Sequence, residues 1–415
     1  MSDSPGLLRR LGALDGALLT VGSVVGTGVF LTAGDVARAV PHAGLVLLVW
    51  LAGGLLTLAG ALTYAELGTM YPRAGGVYHY LVEAYGPVWG FLYGWACFMV
   101  IMSGGLAAIA VGFGEYLGAF VPVLSSATIW WRLPLGGGAW VVNGAQVAAV
   151  CAILLLTAVN HIGVSAGALT QNLLTALKVV AIAMLGVCGL MVHAPAEPQL
   201  MAALPAVPIA GAIGVAMVAV LWTYDGWYAL TFAAGELRDP ARTLPRGLIL
   251  GTGIVMLLYL LLNLTYLRAL PLETLAHTPR VAESAARALF GEGSARLTVA
   301  LVVVSSFGCL ASTILYSSRL YAPMAADGHF FARLARVHPR WHTPVGSLWA
   351  QSAWACVLAL SGSYQQLYTG SVFIGLVAFA AAGAAVLDCA QLGPRSIARI
   401  ACGDIPWCPR CSCWG

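Results

Sequence analysis

Glycine and hydroxyl residues interrupt a strongly apolar run near the start of the chain, in the segment TVGSVVGTGVF from Thr20 to Phe30. Positions where a membrane helix would normally carry leucine hold Gly22, Ser23, Gly26, Thr27 and Gly28. Glycine weakens a helix, and a threonine hydroxyl competes for backbone hydrogen bonds. The segment therefore predicts a helix that is broken near its middle.

A broken helix exposes backbone groups of opposite polarity. Free N–H groups at the start of one half attract negative charge, and free carbonyls at the end of the other half attract positive charge. We therefore expect N–H groups around Gly26, Thr27 and Gly28 to bind a carboxylate, and carbonyls near Ser23 and Val24 to bind an ammonium. An α-amino acid carries both groups on one carbon, and glycine would let it reach the backbone.

A second apolar run is interrupted in the same way by Asp225 and Gly226, within VAVLWTYDGWYALTF. Carbonyls between Leu221 and Tyr224 are expected to contribute to the ammonium site. Asp225 has two interpretations that the sequence leaves open. Its carboxylate could cap a broken helix end, or it could face the substrate and favour polar or cationic side chains.

The glycines could also serve helix packing or a phosphate loop. The spacing Gly22-x-x-x-Gly26 is typical of two membrane helices in close contact, and on its own it would favour packing over binding. A phosphate loop is poorly supported, because the segment has no third glycine, no preceding strand and no P-loop lysine. The repetition of a break in two apolar runs favours a binding site.

The composition indicates whether these helix breaks lie in water or in a membrane. The chain has 415 residues, of which 60% are hydrophobic and only 9% charged, with a net charge of +4. Such a chain is an integral membrane protein. No basic patch suggests nucleic acid, and no paired carboxylates, metal-ligand cluster or nucleophile–base set indicates an enzyme or a cofactor.

Apolar runs of about 20 residues, the length needed to cross a bilayer, recur ten times. The sequence thus predicts an all-α membrane protein with spans near 12–33, 42–70, 87–117, 142–160, 167–192, 207–235, 245–268, 295–323, 345–361 and 366–387. The distribution of arginines favours a cytoplasmic amino terminus in the cell membrane. Two sets of five spans, 12–192 and 207–387, would cross in opposite senses, which is an inverted repeat with a broken first helix in each half.

Several segments together resemble a known family: VGSVVGTGVFLTAG, YAELGTMYPRAGGVYHYLVEAYGPVWGFLYGW, QNLLTALKVV, YDGWYALTFAAGELRDPARTLPRGL and STILYSSRLYAPMAADGHFFARLARVHPRWHTPVGSLW. They resemble the amino acid/polyamine/organocation superfamily, in its L-type amino acid transporter-like branch, from about residue 10 to about residue 387. The resemblance implies a five-plus-five inverted repeat, alternating access, and amino acid exchange or proton-coupled uptake in the bilayer. It assigns no protein partner, and polyamines or cationic amino acids are the nearest alternative substrates.

The resemblance also implies roles for individual residues. Gly26, Thr27 and Gly28 match the carboxylate-binding segment, Trp222 takes the place of an aromatic gate over the substrate, and the unwound part beside it is matched by Thr223, Asp225 and Gly226. Two departures, Tyr228 and Ala311, stand where the family often has asparagine, and they leave the recognised side chain open.

Lys178 is the only lysine of the chain and lies about three turns into the fifth predicted span. A lysine within a membrane is a functional candidate, although it could also extend to the membrane edge. The resemblance implies that its ammonium meets carbonyls near Gly22 and hydroxyls such as Ser312 or Thr313. Proton coupling and a fixed positive charge remain equally open.

The carboxyl end departs from the family pattern. Of 10 cysteines, five follow residue 387: Cys389, Cys402, Cys408, Cys411 and Cys413. We interpret residues 1–388 as a single transmembrane transporter domain and 389–415 as a tail translated out of frame, with two further spans lost. This interpretation leaves an inactive, truncated transporter as a second hypothesis.

Overall fold

The computed structural model describes residues 11–71, 75–135, 138–162, 167–193, 196, 200, 208–338, 341 and 343–391. Apart from one hairpin, its regular structure is helical. The first half contains α1 (Ala13–Val24), α2 (Gly28–Ala39), α3 (Ala43–Met70), α4 (Val77–Tyr85), α5 (Pro87–Ala96), α6 (Met102–Leu117), α7 (Gly144–His161) and α8 (Gly167–Met191). The second half contains α9 (Ile209–Thr223), α10 (Ala229–Phe232), α11 (Pro240–Ala269), α12 (Leu272–His277), α13 (Val281–Phe290), α14 (Glu292–Ala326), α15 (Val345–Ser361) and α16 (Tyr364–Gln391).

The first apolar run is broken where the sequence predicted. Helices α1 and α2 are separated by residues 25–27 and bent by 50° relative to each other. The second interrupted run ends as α9 at Thr223, and a turn containing Gly226 at φ +94° leads into the short helix α10. Both breaks therefore fall on the residues of poor helix propensity that the sequence singled out.

Two features between α5 and α7 were not predicted. A π-helical segment, Cys97–Ile101, joins α5 to α6, so the third apolar run is continuous but contains a locally wider turn with one extra residue. After α6, strands β1 (Ile129–Leu135) and β2 (Gly138–Asn143) pair antiparallel as a hairpin. Tryptophan and β-branched residues favour strands, and these strands contain Trp130, Trp131 and Trp140.

Six helical segments among the described residues are long and apolar enough to cross a membrane: Ala43–Met70, Pro87–Leu117, Gly144–His161, Pro240–Ala269, Glu292–Ala326 and Tyr364–Val386. The bent pair α1 and α2 makes a seventh when it is counted as one span. Three further apolar helices are shorter, Thr175–Met191, Ile209–Thr223 and Val345–Ser361. The count of ten spans and the inverted repeat thus stay predictions.

The helices around the two breaks pack against one another. Helix α2 lies against α9, and α11 packs on both α1 and α3, while α14 contacts α1, α6 and α7. The core is apolar and continuous through the bundle, with Trp50, Tyr259 and Phe232 fully buried. This packing holds the ends of the two broken helices side by side.

Some sequence-based expectations lie outside the described residues. They include the arginines at positions 9, 10, 73 and 340, on which part of the orientation argument rests, and the tail beyond residue 391. Helix α16 continues through position 389 to Gln391, so the first residues assigned to the tail are helical.

Candidate functional site

A small cavity lies between the two helix breaks, with a volume of about 30 Å³. All nine residues that the sequence predicted to bind substrate line it: Ser23, Val24, Gly26, Thr27, Gly28, Trp222, Thr223, Asp225 and Gly226. The rest of its wall comes mainly from α6 and α14 and includes Met102, Gly105, Cys309, Thr313 and Tyr316. We call this space the central cavity. This volume corresponds to two or three water molecules, since a water needs about 10–15 Å³ on the same measure.

Backbone donors are available at the start of α2. No side chain caps this helix, and the N–H groups of Thr27 and Gly28 donate to no other backbone group among the described residues. The Gly26 N–H, by contrast, is already bonded to the Val24 carbonyl at 2.9 Å. The N–H groups that could bind an anion are therefore those of Thr27, Gly28 and the residue that follows. The Gly26 N–H, which the sequence analysis had included, is already bonded.

Carbonyls at the end of α1 already have partners in this conformation. The Ser23 carbonyl oxygen accepts from the Cys309 thiol at 3.3 Å. The Val24 carbonyl oxygen accepts from the Tyr259 hydroxyl at 3.2 Å, and the same hydroxyl lies 3.2 Å from the Thr223 carbonyl oxygen. Tyr259, on α11, thus connects the carbonyl ends of both broken helices. An ammonium at these carbonyls would share acceptors with the thiol and the phenol.

The glycines at the breaks allow the two broken helices to approach each other. A Cβ on Gly28 would stand 2.9 Å from the Cα of Thr223, and a Cβ on Gly226 would stand 2.8 Å from the Ser23 carbonyl oxygen. Gly226 also has a positive φ, which other residues rarely adopt. The sequence analysis assigned the glycines to ligand access, but the atoms nearest to these two positions belong to the protein. Close helix packing is therefore at least part of their role.

The Trp222 side chain forms one side of the central cavity and is buried. Its indole N–H donates to the Tyr364 hydroxyl at 2.9 Å, and its ring stacks on Tyr368 with centroids 5.9 Å apart and planes 18° apart. Both tyrosines lie on α16. Two aromatic residues of another helix thus fix the position of Trp222 at the cavity wall. The role of a gate, which the resemblance implied for this residue, stays a prediction.

Two threonines at the breaks differ in their bonding. The Thr223 hydroxyl donates to the Ala219 carbonyl and lies 2.7 Å from the Thr32 hydroxyl, so it links α9 to α2. The Thr27 hydroxyl is buried and makes no hydrogen bond of normal geometry, although Tyr364 lies nearby. A buried hydroxyl without a partner is costly, and this one lines the central cavity.

Asp225 is half-buried and lines two cavities. One is the central cavity, and the other has a volume of about 350 Å³ between α3, α9 and α16, with Trp227 and Phe379 in its wall. The Tyr228 hydroxyl donates to the Asp225 carboxylate at 3.4 Å. Within the described residues no group of three or more histidine, cysteine, aspartate or glutamate side chains could hold a metal ion here.

Lys178 lies beside the first break and does not extend to the membrane edge. It is 6% exposed, and its ammonium donates to the carbonyl oxygens of Gly22 at 2.8 Å and Val25 at 2.9 Å. The expected contacts with hydroxyls of α14 differ. Ser312 and Thr313 donate to carbonyls of their own helix, and the hydroxyl that approaches the same Val25 carbonyl is that of Ser305, at 3.5 Å.

Sequence reasoning missed several residues of the site. Cys309, Tyr316 and Tyr259 are single polar or aromatic positions in apolar runs, and nothing in their local pattern distinguishes them from core residues. Tyr364 and Tyr368 offered a signal, since their i, i+4 spacing places both on one face of a helix. That spacing does not say which helix the face would meet.

The chain is similar to known proteins over most of its length. A family model described as amino acid permease matches residues 11–388. The serine/threonine exchanger SteT of Bacillus subtilis is 33% identical over 376 residues, covering 90% of this chain and 81% of that protein. The human b(0,+)-type amino acid transporter 1 is 31% identical over 371 residues, covering 87% and 72%. The mouse large neutral amino acids transporter small subunit 2 is 30% identical over 348 residues, covering 82% and 63%.

Proposed function

The chain belongs to the amino acid permease family, and from this premise we propose that its two helix breaks bind the amino acid that it carries across the membrane. Transport by this protein is secondary, without a chemical reaction on the substrate. The observation that carries the proposal is the convergence of the two breaks on one cavity, lined by every residue that the sequence singled out for binding.

The α-carboxylate of the substrate binds at the start of α2. The free N–H groups of Thr27 and Gly28 and the positive end of the helix dipole favour an anion. The unbonded Thr27 hydroxyl supplies a further donor from the same place. Together these groups would satisfy a carboxylate without any cationic side chain.

The α-ammonium binds at the carbonyl ends of α1 and α9. The Ser23 carbonyl oxygen is the most readily available acceptor, because its present partner is a thiol at 3.3 Å, and a thiol is a weak donor. An ammonium would displace it. Asp225, in the wall of the same cavity, adds negative charge on that side.

The protein works by alternating access, and this conformation is a closed one. A central cavity of about 30 Å³ is far smaller than usual small-molecule sites, which measure about 300–1,000 Å³. The substrate therefore enters only when the helices around Trp222 separate. We propose that the three shorter apolar helices complete ten spans in two inverted repeats of five, with the amino terminus in the cytoplasm.

Exchange between amino acids is the transport mode that Lys178 supports. Its two short hydrogen bonds to α1 make it a fixed charge that neutralises the negative end of that helix. A cation that remains in place removes the need for a coupled ion. The name of one relative, the serine/threonine exchanger, agrees with this mode.

Uptake into proteoliposomes tests the proposal. The purified full chain would be reconstituted and offered labelled L-serine, L-leucine and L-arginine, with and without the unlabelled amino acid inside, and with and without a pH gradient. We expect uptake that needs internal amino acid and ignores the pH gradient. Absence of uptake above empty liposomes for all three, and for a mixture of twenty amino acids, would reject the proposed function. Uptake driven by the pH gradient would reject exchange alone.

A further inference from the structure

A second polar cavity lies beyond Trp222, at the end of the helix bundle that carries the β1–β2 hairpin. Its volume is about 360 Å³, and its wall is formed by the end of α2, the end of α6, the start of α7, the segment between α12 and α13, and the start of α16. We call it the hairpin vestibule. Its volume lies within the usual range of small-molecule sites and is more than ten times that of the central cavity.

The hairpin vestibule and the central cavity are separated by one layer of side chains. Tyr364 lines the vestibule, and its hydroxyl accepts the indole N–H of Trp222, which lines the central cavity. A substrate that leaves the vestibule by displacing this pair therefore arrives directly at the two helix breaks.

Three charged side chains line the vestibule: Asp35, Arg38 and Glu115. Asp35 uses both of its oxygens, since one accepts from Arg38 at 3.0 Å and the other from the Tyr368 hydroxyl at 2.8 Å. Arg38 uses its Nε and one Nη to bind the Ala276 carbonyl oxygen at 3.2 Å and 2.8 Å. Of the five N–H donors of a guanidinium, two remain, and the side chain is half exposed.

Glu115 is the charged residue of the vestibule that is bonded to no other described residue. It is half-buried on α6, and within the described part of the chain its carboxylate forms no hydrogen bond or ion pair with another residue. A carboxylate in a partly dehydrated wall favours a cation opposite it. Within the described residues, the vestibule thus combines a carboxylate that is bonded to no other residue with two free N–H donors of a guanidinium. An α-amino acid carries the complementary pair of charges, an ammonium and a carboxylate.

We propose that the hairpin vestibule is a second amino acid site, in which Glu115 binds the α-ammonium and the free N–H groups of Arg38 bind the α-carboxylate. The proposal rests on the proposed function, because the ligand is the transported amino acid on its way to the central cavity. Two carboxylates against one guanidinium leave the vestibule net negative, so amino acids with a cationic side chain bind there more tightly than neutral ones.

Labelling of a cysteine placed in the vestibule tests the proposal. Ser126 lines the cavity, whereas its exposed neighbour Ala127 does not. The full chain carrying Ser126→Cys or Ala127→Cys would be reacted with a charged, membrane-impermeant thiol reagent in the presence of L-arginine or L-serine. We expect L-arginine to slow the reaction of Ser126→Cys by about fivefold or more, which requires a ligand concentration about four times the Kd. L-serine should slow it less, and neither should affect Ala127→Cys.

Substitution of the Glu115 carboxylate distinguishes binding in the hairpin vestibule from a conformational change caused by binding in the central cavity. In the Ser126→Cys background, Glu115→Gln should abolish the protection, and Glu115→Asp, which keeps the charge, should retain part of it. Glu292→Gln, a matched change on an exposed carboxylate paired with Arg287, should leave protection intact. The KM for L-arginine uptake should rise in Glu115→Gln while kcat changes little.

Three outcomes would overturn the proposal: no protection of Ser126→Cys, equal protection with and without the Glu115 carboxylate, or protection that disappears only when Trp222 is replaced. Each of them can occur in a chain that still takes up amino acids. Failure of the parent chain to take up any amino acid would instead reject the proposed function, so the two results are distinguishable.

Discussion

The Lys178 ammonium donates to the Gly22 carbonyl oxygen at 2.8 Å, where α1 nears the end of its regular hydrogen bonding. A second bond from the same ammonium reaches Val25. The only lysine of the chain therefore holds the end of the first half-helix, and the break and the lysine form one structural unit.

Replacement of this lysine should impair transport strongly. Lys178→Met keeps the length of the side chain and removes the charge, so two buried carbonyls lose a charged donor, each bond contributing about 1.5–3 kcal/mol. We expect uptake in proteoliposomes to fall at least about tenfold, with a lower thermal midpoint. Lys178→Arg, which keeps a donor, should retain more uptake than Lys178→Met. Equal activity of the parent and Lys178→Met would contradict the role of the ammonium.

Addition of one methyl group at the first break should separate two helices. In Gly28→Ala the new Cβ would stand 2.9 Å from the Thr223 Cα, and overpacking of this kind costs about 1–3 kcal/mol. Thermal unfolding in detergent should show the loss, together with lower uptake. Gly214→Ala is the matched control on α9, because nothing lies within 4 Å of its Cβ position. A loss of the same size in Gly214→Ala would mean that the contact with Thr223 is irrelevant.

The position of Trp222 beside the central cavity should depend on its hydrogen bond to Tyr364. Tyr364→Phe removes the acceptor of the Trp222 indole N–H, together with the hydroxyl that lies near Thr27, and the bond to Trp222 contributes about 0.5–1.5 kcal/mol. We expect a KM that is roughly threefold to tenfold higher, because the closed state loses stability. Trp222→Ala should have a larger effect than Tyr364→Phe. The concentration dependence of initial uptake rates measures both, and a parent-like KM in Trp222→Ala would argue against its role as a cover.

Removal of the Thr27 hydroxyl should weaken substrate binding without lowering the stability of the protein. Thr27→Val keeps the shape of the side chain and removes a buried hydroxyl without a partner, so the thermal midpoint should stay the same or rise while the KM increases. Thr32→Val is the control, because its hydroxyl is bonded to Thr223 and to the Gly28 carbonyl. Here the midpoint should fall, by an amount equivalent to about 1 kcal/mol. An unchanged KM in Thr27→Val would exclude this hydroxyl from substrate binding.

The sequence was sufficient to predict both helix breaks and the membrane-spanning character of the chain. Gly26-Thr27-Gly28 and Asp225-Gly226 are local signals, since each disfavours a helix at its own position. The neighbours of Gly28 and Gly226 could not be predicted, because whether a glycine faces a ligand or another helix depends on which helix packs there. The hydrophobic pattern could place Lys178 in a span, and the family resemblance implied the Gly22 carbonyl as its partner. For the same reason the resemblance named Ser312 and Thr313, whereas Ser305 is the hydroxyl near the shared Val25 carbonyl.

Tyr259 has one proton and two carbonyl oxygens, those of Val24 and Thr223, at equal distances of 3.2 Å. A phenol can donate to only one of them at a time. When either broken helix moves away, the phenol O–H donates to the carbonyl that stays, so the number of hydrogen bonds from the phenol is the same before and after the movement. The hydrogen bond from Tyr259 therefore favours neither state. The balance between the two states is left to the bound amino acid.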